Sequence, residues 1–250
     1  MDLAKRDFAQ VMTSRSLGRT AGLLYLAIIA SGIFAELAVR GRLIDVGNAE
    51  STARNILAHQ SFYGMGIVAD LLMVACDLAL SAILYTLFAS YSRVGALAMT
   101  LLRLTPVGML AVKSLFAAAV VPILSGRIPL DAFSLAQRED IALLMLRLHD
   151  QLYGLAMVFF GLNLLALGLL IIRSGLMPRM IGLLLMIGGL CDLIVRLPPL
   201  IDRALGARIP VVVAFGPLVA ELALTGWLLV IGWRSLEDNT GIASTDLTSP

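Results

Sequence analysis

Six stretches of the chain run long, apolar and almost without charge: about 20–39, 61–89, 94–124, 150–172, 178–198 and 210–233. Crossing the hydrocarbon of a bilayer takes about 20 such residues in a helix. Lipid offers no water to backbone N–H and C=O groups. Each crossing must therefore satisfy its own, and within a single segment only a helix does so. The chain is 59% hydrophobic and 14% charged, against about 25% charged in ordinary soluble domains. Lipid is its solvent, and the fold class is all-α: an integral membrane six-helix bundle. The stretches 61–89 and 94–124 exceed the minimum, so they tilt or project beyond the hydrocarbon.

The polar remainder sets the domain organisation. Residues 1–19 are polar and mixed in charge and lead into a spanning run, which is not the pattern of a cleavable signal peptide. They read as a cytoplasmic N-terminal segment, 20–234 as the transmembrane domain, and 235–250, rich in Ser, Thr and Asp, as a disordered cytoplasmic tail. Lys5, Arg6, Arg15, Arg19, Arg93, Arg173, Arg179 and Arg234 fall on one side of the membrane. By the positive-inside rule that side is the cytoplasm, with both termini there. The opposite loops are longer and mix arginines with Asp45, Glu50, Asp131, Glu139, Asp140, Asp150 and Asp202. The repeating unit is thus a hairpin (helix, outer loop, helix) used three times. The first two hairpins echo each other: His59-x-x-x-Tyr63-Gly64 and His149-x-x-x-Tyr153-Gly154, each preceded by an amphipathic stretch that predicts a short helix. In the third hairpin, Phe215-Gly216 has no His before it.

Several function classes drop out. A net charge of +2, with basic residues scattered, gives no footprint for nucleic acid. Cys76 and Cys191 lie singly in apolar runs, without disulfide or metal spacing. There is no His-Glu-x-x-His, no Gly-x-Ser-x-Gly and no phosphate-binding glycine loop. No catalytic residue, metal or cofactor is therefore assigned, and the two histidines alone do not make a haem ligand set.

The spans nevertheless carry Glu36, Asp70, Asp77, Arg103, Lys113, Asp192, Arg196 and Glu221, with Asn163 in the fourth. A charge at the centre of a span costs about 2.5–3.5 kcal/mol on insertion scales and faces the protein interior. At about 100° per residue, His59, Asp70 and Asp77 fall on one stripe, and His149 lies close to the face of Asn163. Asp192 and Arg196 are one turn apart and positioned to pair. At about 1.5 Å per residue, Asp77 and Arg103 come to similar depth near mid-membrane. Glu36, Asp70, Lys113, Asp192, Arg196 and Glu221 come out in the outer half. The pattern predicts an outward-facing polar cavity lined by Asp70, Asp77, Arg103, His149, Asn163 and Glu221 and floored by an Asp77–Arg103 pair. Glu36, Lys113, Asp192 and Arg196 form a secondary polar network around it. Pro106 and Pro217 are expected to kink their helices.

The run Arg19-Thr-Ala-Gly-Leu-Leu-Tyr-Leu, Asn55-Ile56, Asp70-Leu71-Leu72, Arg103, the stretch from His149 to Gly182 with Phe159-Phe160-Gly161 and Arg173-Ser174-Gly175-Leu-Met-Pro178-Arg179, and Glu221 with Trp227-Leu228-Leu229 together resemble the bacterial DUF4386 family. The resemblance spans about residues 18–234. It implies a multi-pass protein of the bacterial inner membrane with no assigned activity, and it places Asp70, Arg103, His149 and Glu221 at family-pattern positions. Pro106 stands where a Glu is expected, Lys113 where a neutral polar residue is usual, and His59 is particular to this chain. Two functions remain. One is binding or transport of a small polar or lipid-like molecule. The other is a non-catalytic accessory subunit, packed against a membrane partner or a second copy, with its charges paired internally.

Overall fold

The computed structural model describes residues 3–202 and 209–230. Among them there is no strand. The helices are α1 (Leu3–Ile33), continued by a π-helical segment (Phe34–Arg40) and α2 (Gly41–Leu43), then α3 (Ala49–Ala58), α4 (Gln60–Ala89), α5 (Arg93–Leu124), α6 (Leu135–Ser174), α7 (Arg179–Arg196), α8 (Pro198–Ile201), a 3-10 turn (Val211–Phe215) and α9 (Gly216–Val230). Six helical stretches are long and apolar enough to cross a membrane: Ser16–Leu43, Gln60–Ala89, Arg93–Leu124, Leu135–Ser174, Arg179–Ile201 and Val211–Val230. The protein is thus a multi-pass, all-helical membrane protein. The tail 235–250 and the Gly206–Arg208 part of the third loop lie outside the described residues.

Local chemistry sets the helix boundaries. Asn48 caps α3 by accepting from the Ser51 amide at 2.9 Å, and the Thr52 hydroxyl ties back to Asp45 at 2.9 Å. Ser134 and Gln137 form a reciprocal capping box that starts α6: the Ser134 amide donates to Gln137 Oε1 at 2.8 Å and the Gln137 amide to Ser134 Oγ at 3.3 Å. Gly175, at φ +67°, ends α6 in the left-handed conformation that only glycine adopts without strain, and Pro178 precedes α7.

Three expectations change. The amphipathic stretch before His149 is not a separate helix. It continues into the fourth span as one helix of 40 residues, about 60 Å at 1.5 Å per residue, so its polar first turns extend past the hydrocarbon. The first span does not stop at 39 but runs on through the π-helical segment to Leu43. Pro217 lies in the first turn of α9, where a missing N–H is tolerated, while Pro106 sits inside an unbroken α5.

The chain divides into two compact units: one of 1–26, 79–102 and 160–250, the other of 27–78 and 103–159. In the second unit, Val39, Leu43, Ala53, Ile56, Tyr63, Val120, Ile123 and Leu146 form an apolar core. Tyr63 donates from this core to the Ala117 carbonyl at 2.9 Å. The first unit packs α6 against α7 through paired glycines. A Cβ at Gly168 would lie 2.5 Å from the Gly182 carbonyl oxygen, and one at Gly189 2.6 Å from that of Gly161. Small residues at these points let two spans approach to backbone contact.

Candidate functional site

In the second unit three carboxylates, Glu36, Asp70 and Asp77, pair with three cations, Arg40, Arg103 and Lys113. At its centre is Arg40, the last residue of the π-helical segment. A π-turn bonds i to i+5 and so carries one extra residue per turn; here the Gly41 amide reaches the Glu36 carbonyl. Arg40 engages two carboxylates at once. Its Nε donates to Glu36 Oε2 at 2.9 Å and its Nη2 to Glu36 Oε1 at 2.9 Å. Toward α4, Nη1 donates to Asp70 Oδ2 at 2.7 Å and Nη2 to Asp70 Oδ1 at 2.9 Å. A guanidinium fork suits this double pairing, which an ammonium does not reproduce.

Lys113 of α5 closes the cluster from the other side. Its ammonium donates to Glu36 Oε1 at 3.0 Å, stands 3.5 Å from Asp70 Oδ1, and sits 4.5 Å from the centroid of the Tyr153 ring of α6. Both Lys113 and Asp70 are almost wholly buried, whereas the Glu36 side chain keeps 31% of its surface. Two turns further along α4, Asp77 lies 2.7 Å from Arg103 Nη2, as their matching depths predict. Burial of five of these six charges is tolerable because each faces an opposite one; removing one partner of a buried pair typically costs about 3–5 kcal/mol.

His149 belongs to the same unit, one helical turn before Tyr153. It is fully buried. Its Nδ1 is 3.2 Å from Oδ1 of the exposed Asp150, and its Nε2 has no hydrogen-bond partner. His59 differs altogether: it is exposed, at the break between α3 and α4, with Nδ1 against the Asn55 carbonyl at 3.1 Å. The two His-x-x-x-Tyr-Gly copies are therefore not structurally equivalent.

The remaining candidates lie in the first unit. Asn163 donates Nδ2 to the Met99 carbonyl at 2.8 Å, tying α6 to α5. Asp192, buried, stands 4.0 Å from Arg196 Nε. Glu221 is half-buried on α9, its carbonyl accepting from the Thr225 hydroxyl at 2.7 Å. The structure thus gathers Asp70, Asp77, Arg103, His149, Glu36 and Lys113 in one unit, and Asn163, Asp192, Arg196 and Glu221 in the other. Arg40 is the residue that hydropathy misses, since the apolar run ends at 39. Its i,i+4 relation to Glu36 is the signal that points to it.

Comparison with known proteins bears on the whole chain. Residues 20–232 match the family model described as Domain of unknown function (DUF4386). No curated protein and no solved structure matches.

Proposed function

The chain belongs to the DUF4386 family, whose description assigns no activity, and we propose from its site alone that it binds a small polar or lipid-like molecule. The site is the charged cluster of Glu36, Arg40, Asp70 and Lys113, with the Asp77–Arg103 pair two turns along α4 and His149 one turn before Tyr153, whose ring Lys113 contacts. The observation that carries the reading is the sharing of ions. Two cations hold two carboxylates jointly, and one of those carboxylates, Glu36, is partly exposed. A polar ligand arriving at Glu36 exchanges one internal contact for an external one without stranding a charge. Asp192, Arg196, Asn163 and Glu221 belong to the other unit, and the proposed site does not draw on them. The inner membrane of a bacterium, with the site facing outward, fits the distribution of basic residues best.

A second reading is favoured by charge balance. Three carboxylates answer three cations, which is what an accessory subunit without a ligand needs in order to fix its helices. Mass spectrometry of the purified protein separates the two. On the binding reading, a small molecule co-purifies with the wild type and is depleted from Glu36→Gln and Asp70→Asn variants that still unfold cooperatively. A wild-type protein that carries no small molecule, and retains a protein partner equally well in all three forms, rules the binding reading out.

A further inference from the structure

The hydrogen-bonding capacity of the unit that holds this cluster and His149 is lopsided, and the imbalance indicates the chemistry of what binds. Arg40 directs four N–H···O bonds at Glu36 and Asp70. Lys113 is held between the same two carboxylates and the Tyr153 ring. The cationic donors are thus already committed, and an incoming anion would have to break bidentate ion pairs to reach them. The acceptors are not committed to the same degree. Glu36 retains 31% of its side-chain surface. His149 is fully buried, with Nε2 unpartnered. Asp150 is a carboxylate and so accepts only; an imidazole with a single ring proton meets it by donating from Nδ1, which keeps a lone pair on Nε2. Leaving such an atom buried and unmatched is unfavourable. A metal does not answer the need, because no group of three or more metal-ligating side chains exists among the described residues and one imidazole does not make a site.

We propose that His149 Nε2 accepts a hydrogen bond from the bound molecule, and that this molecule presents an ammonium donor rather than an anion. The proposal rests on the binding reading above and names its ligand class. The ammonium can belong to a free amine or to a lipid headgroup, and the test has an arm for each.

The protein has two histidines, so a His59→Gln background leaves His149 as the single imidazole signal in [15N]histidine-labelled full-length protein. In phosphatidylcholine nanodiscs, solid-state NMR reads its tautomer directly. The expected form carries the proton on Nδ1; a proton on Nε2 overturns the proposal without recourse to any change at His149. Butylammonium and butyrate are then titrated as free ligands, and nanodiscs containing phosphatidylethanolamine test the headgroup. Butylammonium, phosphatidylethanolamine or both should shift the Nε2 signal, with butyrate inert. His149→Leu should weaken the effective probe about tenfold, the worth of one hydrogen bond, and His149→Gln, which keeps an acceptor, should weaken it less. Binding of butyrate alone overturns the donor class but leaves the binding reading standing. Ammonium binding that neither His149 variant changes overturns the role of His149. Failure of every probe to bind removes this proposal, while the co-purification measurement above decides the binding reading separately.

Discussion

A charge in a membrane protein is informative because it is expensive, and the two ion clusters of this chain differ in how visible they are from sequence. Asp77 and Arg103 are legible. Each sits deep in an apolar run, their depths agree, and the structure puts them 2.7 Å apart. Replacing Arg103 with Met should therefore lower unfolding stability in micelles by about 3–5 kcal/mol. The double variant Asp77→Leu, Arg103→Met should recover most of that loss, because it leaves no charge stranded. A double variant no more stable than the single one would show that the pair is not the interaction that matters. Arg40 is not legible. It follows the last apolar residue of the first stretch and looks like a loop arginine. Only the continuation of the helix through a π-helical segment brings it between Glu36 and Asp70. Its geometry makes a distinct prediction: Arg40→Lys keeps the charge but loses the fork. It should cost about 1.5–3 kcal/mol, the worth of hydrogen bonds to charged groups, where the exposed Arg93→Lys should cost almost nothing. Chemical unfolding of the two variants side by side decides it.

At the level of elements, hydropathy finds the crossings because lipid imposes the same demand on each: about 20 apolar residues and internally satisfied backbone. It does not find where the helices stop, since nothing obliges a helix to end at the hydrocarbon boundary. The residues before His149 are amphipathic and polar, yet they share a helix with the apolar run that follows, from the Ser134 capping box to Gly175. The residues before His59 carry a similar pattern and break instead, at His59 itself. The similar motif therefore marks two different local structures. Close helix packing is better inscribed. Gly161 and Gly168 are seven apart on α6, Gly182 and Gly189 seven apart on α7, and they meet in antiparallel order. Gly168→Ala puts a Cβ 2.5 Å from a backbone oxygen, which the chain relieves only by moving a helix. The expected penalty is about 1–3 kcal/mol. Gly108→Ala, where a Cβ meets nothing within 4 Å, should be neutral or stabilising by up to about 1 kcal/mol from helix propensity. Thermal unfolding of both proteins measures the contrast, and equal midpoints would mean that the glycine contacts do not hold α6 and α7 together.

The six crossings constrain the whole molecule more tightly than any one of them does. An even number of spans returns the chain to the side on which it began, so the short turns after α4 and α6 share a side with the N-terminal segment. Those turns carry Arg93, Arg173 and Arg179, and Arg19 precedes the first apolar run, all without acidic neighbours in the turns themselves. The alternate connections place Asp45, Glu50, Asp131, Glu139, Asp140 and Asp150 among their arginines. Orientation follows Lys and Arg in short loops rather than net charge, and the short loops are the turns, so these should face the cytoplasm. On that orientation α3, the end of α5 and the start of α6, which lie in the unit that holds Arg40 and His149, should face the other side. The two free cysteines, Cys76 and Cys191, can be replaced by Ser to give a background for labelling. Ser134→Cys, ahead of α6, should react with a membrane-impermeant maleimide in intact cells, whereas Tyr91→Cys, in the turn after α4, should react only after permeabilisation. The reverse pattern would invert the protein, turn the Glu36 side of the cluster toward the cytoplasm, and require its ligand to come from there.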